Sequence, residues 1–239
     1  MAANTLPKLD VERIAKLNQL SAKLGYQYHD IQLLQRALTH RSVGARNNER
    51  LEFLGDSLVN YIIADALFHQ FSKLPEGDMS RVRAHLVKGD TLAIIGREYH
   101  LSDYLVLGPG ELKSGGFRRD SIIADTVEAI IASVYEDGGL EPTRQLVHRL
   151  YEQRLQELDP KKVGKDPKTR LQEMLQALNQ ELPQYSIISV NGAAHAQEFT
   201  VSCYVDILKT KFEATASSRR KAEQKAAETA IQTLEKTHA

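Results

Sequence analysis

The sequence predicts two domains. The first, residues 1–159, is all-α; beyond a linker at 160–167, residues 168–239 form a small α+β domain in the order α-β-β-β-α. Three observations carry this. Apolar residues recur at helical spacing through most of the first 158 residues, whereas 185–190, 198–205 and 211–215 alternate as strands do. Asp159 to Lys168 is polar, basic and punctuated by two prolines and a glycine, the composition of a linker. Charge divides at the same place: residues 1–159 carry 19 Lys+Arg against 22 Asp+Glu, and residues 160–239 carry 12 against 9. A mildly acidic first part and a basic second part suggest two tasks.

The bulk properties narrow the class. A chain of 239 residues suffices for two compact domains, and 42% hydrophobic with 26% charged residues is ordinary for a globular protein. No run approaches the ~18 apolar residues of a membrane span. The N-terminus lacks the apolar core of a secretory signal, so a cytoplasmic location is expected. Cys203 is the single cysteine, lies in the alternating run Phe199, Val201, Cys203, Val205, and reads as a core residue.

In chain order, residues 6–42 read as helical with a break at Gly25-Tyr26, and Thr39-His40-Arg41-Ser42 leads into a polar loop. His40 reads as a structural histidine. Residues 51–71 form an apolar helix. Pro75 and Gly77 mark a turn, with Ser80 as the cap of a helix over 81–98 that holds Leu86, Leu92, Ile94 and Ile95 inside and Arg81, Arg83 and Lys88 outside. Residues 107–120, with four glycines and a proline among them, are expected to be non-helical, either a solvated connector or a loop able to lie along a phosphate backbone. Residues 121–132 form another apolar helix, closed by Gly138-Gly139, and a last helix covers 143–158.

Two of these apolar helices carry acids. Glu49, Glu52 and Asp56 fall at i, i+3 and i+7, one stripe of a helix. Asp125 and Glu128 stand at i, i+3 in the other. Carboxylates gathered beside core residues repel one another and are costly to desolvate unpaired. A divalent cation relieves this, and hard oxygen ligands select Mg²⁺ or Mn²⁺. A solvated helix face is the bland reading of such a stripe, and the scarcity of other polar surface weighs against it. Arg50 follows Glu49 directly and so points away from the stripe.

The run Asn48-Glu49-Arg50-Leu51-Glu52-Phe53-Leu54-Gly55-Asp56-Ser57 resembles the signature of ribonuclease III, the Mg²⁺-dependent endonucleases of double-stranded RNA. The resemblance extends from about residue 10 to 236. It implies that Glu52, Asp56, Asp125 and Glu128 are the inner acidic set, with Asp56 and Glu128 catalytic and Glu52, Asp125 and Glu128 at the metal. Glu49 and Glu76 would be accessory acids. It implies that Lys113 in the glycine-rich loop touches RNA, and that Phe53 helps form a homodimer, although core packing is an equal alternative for Phe53. Two symmetric sites would cut both strands of a duplex, leaving short 3′ overhangs. The implied work is processing of ribosomal RNA precursors and processing or decay of structured messages.

The C-terminal region resembles the double-stranded-RNA-binding domain, which reads A-form shape over ~16 bp with little sequence preference. The resemblance implies contacts from Thr169, Gln172 and Glu173 on the first helix and His195 in the loop after the first strand. Ser218, Arg219, Arg220 and Lys221 would contact RNA at the start of the last helix, where dipole and cations both favour phosphate. Ala214-Thr215-Ala216 stands where the family usually has Gly-x-Gly, and Glu223 where many members are basic, so both are expected to weaken RNA affinity. Two rivals are a double-stranded-RNA-binding protein whose helical domain only dimerises, and a metal phosphohydrolase of small nucleotides. The acid set speaks against the first and the C-terminal domain against the second.

Overall fold

The computed structural model describes residues 9–160, 163, 166–192 and 197–237. The chain divides into two compact units, Met1–Val163 and Gly164–Ala239.

The first unit is helical: α1 Val11–Leu24, α2 Ile31–Ala37, α3 Glu49–Gln70, α4 Glu76–Leu86, α5 Gly89–Glu98, α6 Pro109–Lys113, α7 Asp120–Gly138 and α8 Leu140–Gln156. Helix α7 is the axle. Ile122, Ile123, Val127, Ile130, Ile131 and Val134 are buried around its circumference, and α2, α3, α5 and α8 pack on it. Burial on all sides is why an apolar run without amphipathic periodicity still forms a stable helix here. Two glycines let neighbouring helices approach α7 closely. A Cβ on Gly55 of α3 would collide with the backbone carbonyl of Glu128 on α7, and one on Gly96 of α5 would strike the Ile123 side chain.

Four expectations are corrected. The helix expected over 81–98 is two helices: Lys88 adopts an extended conformation and α5 begins at Gly89, since a glycine costs a helix interior about 1 kcal/mol and readily serves as a break. The first of them starts earlier, at Glu76 behind Pro75, so Ser80 is not its cap; the Ser80 hydroxyl donates to Glu76 Oε1 at 2.7 Å. Ile94 is half exposed rather than internal. The glycine-rich stretch contains α6, because Pro109 occupies the first helical turn, where its missing N–H is no loss, and a 3-10 turn follows at Gly116–Arg118.

The second unit contains α9 Pro167–Ala177, β1 Gln184–Asn191, β2 Glu198–Val205, β3 Thr210–Ala216 and α10 Arg219–Thr237. The sheet is antiparallel in the order β1-β2-β3. Its core joins Cys203, Val205 and Phe212 to Leu171 and Leu175 of α9 and to Ala226, Ala227, Ala230 and Ile231 of α10. The small alanines let α10 lie close to the strands. No helix among the described residues is long and apolar enough to cross a membrane.

Candidate active site

Helices α3 and α7 cross where Gly55 meets Glu128, and this contact brings the two acid pairs together. One carboxylate oxygen from each of Glu52, Asp125 and Glu128 lies within 4.8 Å of the others, all three side chains half-buried. Burial raises the Glu128 carboxyl to about 8, with Asp56, Asp125 and Glu52 adding repulsion. Burial also raises Glu52 and Asp125, the former with help from Asp125 and Glu49. Glu128 thus meets the repulsion of all three other acids in addition to burial. This donor set, all oxygen and mutually repulsive, fits a hard divalent cation.

Asp56 is exposed beside the trio, and its Oδ1 accepts from Asn60 Nδ2 at 3.1 Å. Glu49 turns outward: its backbone N–H donates to the Asn47 side chain at 3.0 Å, and its carboxylate lies 3.5 Å from Arg41 Nη1. The stripe expected on α3 is therefore split, with Glu52 in the trio, Asp56 at its edge and Glu49 on the rim.

A polar cleft of about 400 Å³ opens over Glu52 and Asp125, lined also by His40, Arg41, Glu49, Glu111 and Arg119. The segment carrying His40 and Arg41 is held in place by residues 106–108, through an isolated bridge between Thr39 and Val106. His40 N donates to Val106 O at 3.0 Å, Val106 N to Leu38 O at 2.9 Å, and Gly108 N to Ser42 Oγ at 2.8 Å. Arg119 pairs with Glu111 at 2.8 Å, and both line the cleft. His40 lines the cleft, and its Nδ1 also accepts from Ser42 N at 3.2 Å within the turn, in keeping with a structural histidine. Sequence reasoning passed over Arg41, Glu111 and Arg119, since each comes from a different segment and only the fold assembles them; Gly108 clipped to Ser42 had no signal in sequence.

Glu76 is not near the trio. It lies at the start of α4, on a groove of about 370 Å³ lined by Tyr61, Leu67, Phe68, Met79 and Arg83. Phe53 is 79% exposed, which excludes core packing, and Tyr61 and Phe68 follow it along the same side of α3, adjoining the acidic stripe. Lys113 is exposed at the end of α6.

In the second unit Thr169, Gln172 and Glu173 share the exposed face of α9. Ser218 caps α10, its Oγ accepting from Lys221 N at 3.3 Å, and Arg219, Arg220 and Lys221 are exposed on the first turn. His195 lies outside the described residues.

The comparisons with known proteins agree with this architecture. A family model described as "Ribonuclease-III-like" matches residues 30–155, and one described as "Double-stranded RNA binding motif" matches residues 167–234. Proteins named ribonuclease 3 from Vibrio cholerae and Vibrio parahaemolyticus are each 56% identical over 91% of this chain and 97% of their own. The nuclease domain of ribonuclease III from Campylobacter jejuni, at 2.2 Å resolution, is 36% identical with a TM-score of 0.57, covering 64% of this chain and 100% of that one. A second structure of that domain concerns flexibility in its dimer-forming region. It is 38% identical with a TM-score of 0.56, covering 57% of this chain and 96% of that one.

Proposed function

The chain belongs to the ribonuclease III family of double-stranded-RNA endoribonucleases, and from there we propose that Glu52, Asp125 and Glu128 hold a Mg²⁺ ion (Mn²⁺ substituting) at which one strand of the duplex is cut. The observation that carries this reading is the convergence of three half-buried carboxylates from two helices, with Glu128 driven to about 8. When bound, such an ion supplies an activated water and stabilises the leaving alkoxide. Burial and the neighbouring acids favour the protonated Glu128 carboxyl, so a metal held there would displace its proton and metal affinity would rise with pH. Asp56, steadied by Asn60, is the remaining catalytic acid and faces the trio from its solvent side. Arg41 and Arg119 bring positive charge to an anionic cleft that must admit phosphate.

The assembly is a homodimer in which Phe53 enters the groove of a second copy. Support comes from the exposed aromatic side of α3 and from the groove beside Phe68 and Met79. Glu76 lines that groove and Phe53 neighbours Glu52, so a twofold arrangement brings Glu76 toward the acidic cleft of the other copy. This accounts for an accessory acid that stands apart within one chain. Two such sites across the A-form minor groove cut with an offset and leave short 3′ overhangs with 5′-phosphates. RNA contacts come from Lys113, Thr169, Gln172, Glu173, His195, Ser218, Arg219, Arg220 and Lys221. The work is cytoplasmic processing of ribosomal RNA precursors and structured messages.

The test is incubation of a long RNA duplex, the matching DNA duplex and single-stranded RNA with the protein and Mg²⁺. Only the RNA duplex should be shortened, to ends bearing 3′ overhangs. Blunt ends, or equal cutting of single-stranded RNA, would contradict the two-site arrangement.

A further inference from the structure

Glu223 is a buried carboxylate, 6% exposed. Burying a carboxylate is costly unless it is paired, and Glu223 is paired twice. Lys168 Nζ reaches its Oε2 at 2.5 Å and Arg219 Nε its Oε1 at 2.8 Å. Lys168 sits on the first turn of α9, and its ammonium also lies 4.6 Å from the centre of the Tyr185 ring on β1. Arg219 opens α10. A second carboxylate ties the same two helices in the opposite sense. Asp166 caps α9 through Lys168 N at 2.9 Å, and accepts from Gln224 Nε2 at 2.9 Å and Arg220 Nη2 at 3.3 Å on α10. Each helix start therefore contributes an acid that holds the other's polar side chains. The pairing holds both carboxyls below the usual range against the opposing effect of burial.

This arrangement bears on the expectation that Glu223 weakens RNA binding. Two acids beside a phosphate-binding surface do reduce its raw attraction for any polyanion. In exchange they fix the separation between the exposed face of α9, with Thr169 and Gln172, and the cationic first turn of α10. An A-form duplex presents its 2′-hydroxyls and phosphates at set spacings, so a surface of fixed spacing matches it without further ordering cost. A single strand adapts its backbone to whatever cations it meets, and gains little from a fixed spacing. We propose that Glu223 and Asp166 are positioning residues that give the second domain its preference for duplex over single-stranded RNA, by strapping the starts of α9 and α10 together.

The experiment uses the full chain in EDTA, so that RNA is bound without being cut. Dissociation constants are measured for a 20-bp RNA duplex and for one of its strands, with wild type, Glu223→Gln and Asp166→Asn. Wild-type binding to the duplex tests the RNA-binding reading separately. In each variant the duplex affinity should fall roughly three- to ten-fold, about 0.7–1.4 kcal/mol. Single-strand affinity should hold or rise about two-fold, because one negative charge has gone, so the preference ratio collapses. Asparagine still caps a helix, so Asp166→Asn keeps the fold and decides the matter if Glu223→Gln does not fold. An unchanged ratio in Asp166→Asn, or both affinities rising by one factor, would overturn the proposal and leave the acids as a simple electrostatic brake.

Discussion

Replacing Glu128 with Gln removes the charge that the metal-free cleft tolerates least, and the consequence for stability can be worked from the structure. The Glu128 carboxyl is raised from an ordinary 4.5 to about 8, first by burial and then by Asp56, Asp125 and Glu52. Between those values the folded state keeps a proton that the unfolded chain has lost, so stability falls as pH rises through this window. The rise sets a ceiling of about 5 kcal/mol. Solvent in the open cleft screens much of it, and roughly 1–2 kcal/mol remains. Gln resembles the neutral acid at every pH. Scanning calorimetry in EDTA should therefore find the first unit's transition unchanged by Glu128→Gln at pH 4.5. At pH 8.5 it should lie higher in the variant by roughly 2–8 °C, at about 2–4 °C per kcal/mol. Mg²⁺ should raise the wild-type transition and close the gap. A variant no more stable than wild type at pH 8.5 in chelator would refute the reasoning, as would a gap of equal size at both pH values.

Three other predictions follow from single contacts. Gly55→Ala forces a methyl group into the Glu128 carbonyl; separating α3 from α7 should cost about 1–3 kcal/mol by calorimetry and disrupt the carboxylate trio, so duplex cleavage should fall far more than duplex binding. Asp137, with its side chain 2% exposed, accepts from Tyr26 Oη, His29 N and Asp30 N at 2.7–2.8 Å, and these bonds depress its carboxyl against burial. Its contribution is present above pH ~4 and is lost as pH falls through the depressed value. Asp137→Ala should cost about 2–3 kcal/mol at pH 7, with a difference from wild type that shrinks toward pH 2. Phe53→Asp places a charge on the exposed aromatic side of α3, and sedimentation should find monomers where wild type sediments as a dimer.

Much of the architecture was legible in sequence for identifiable reasons. Alternation marked the three strands to within a residue or two, and apolar helices carrying i, i+3 acids marked α3 and α7 as the pair that meets. What escaped was mostly non-local or hidden by a strong local prior. Glycine-rich composition concealed α6, where Pro109 in the first turn is helix-compatible. A continuous helix was expected over 81–98 because no proline marks the break, which lies in the extended backbone of Lys88 ahead of Gly89. Arg50, the cation nearest in sequence to Glu49, is not the one that meets it; Arg41 does so from a turn clipped to residues 106–108. Apolarity alone let Phe53 be read as a core residue, and its exposure excludes that reading. Glu223 looked like an unfavourable charge because its partner Lys168 lies 55 residues away on α9.

The most direct test compares one labelled RNA duplex with wild type and Glu128→Gln, each in Mg²⁺ and in Ca²⁺, reading binding by gel shift and cutting on denaturing gels. Wild type should cut in Mg²⁺ and bind without cutting in Ca²⁺, and Glu128→Gln should bind as tightly as wild type and cut in neither. Cutting by Glu128→Gln at the wild-type rate in Mg²⁺ would contradict the assignment of the carboxylate trio as the metal centre.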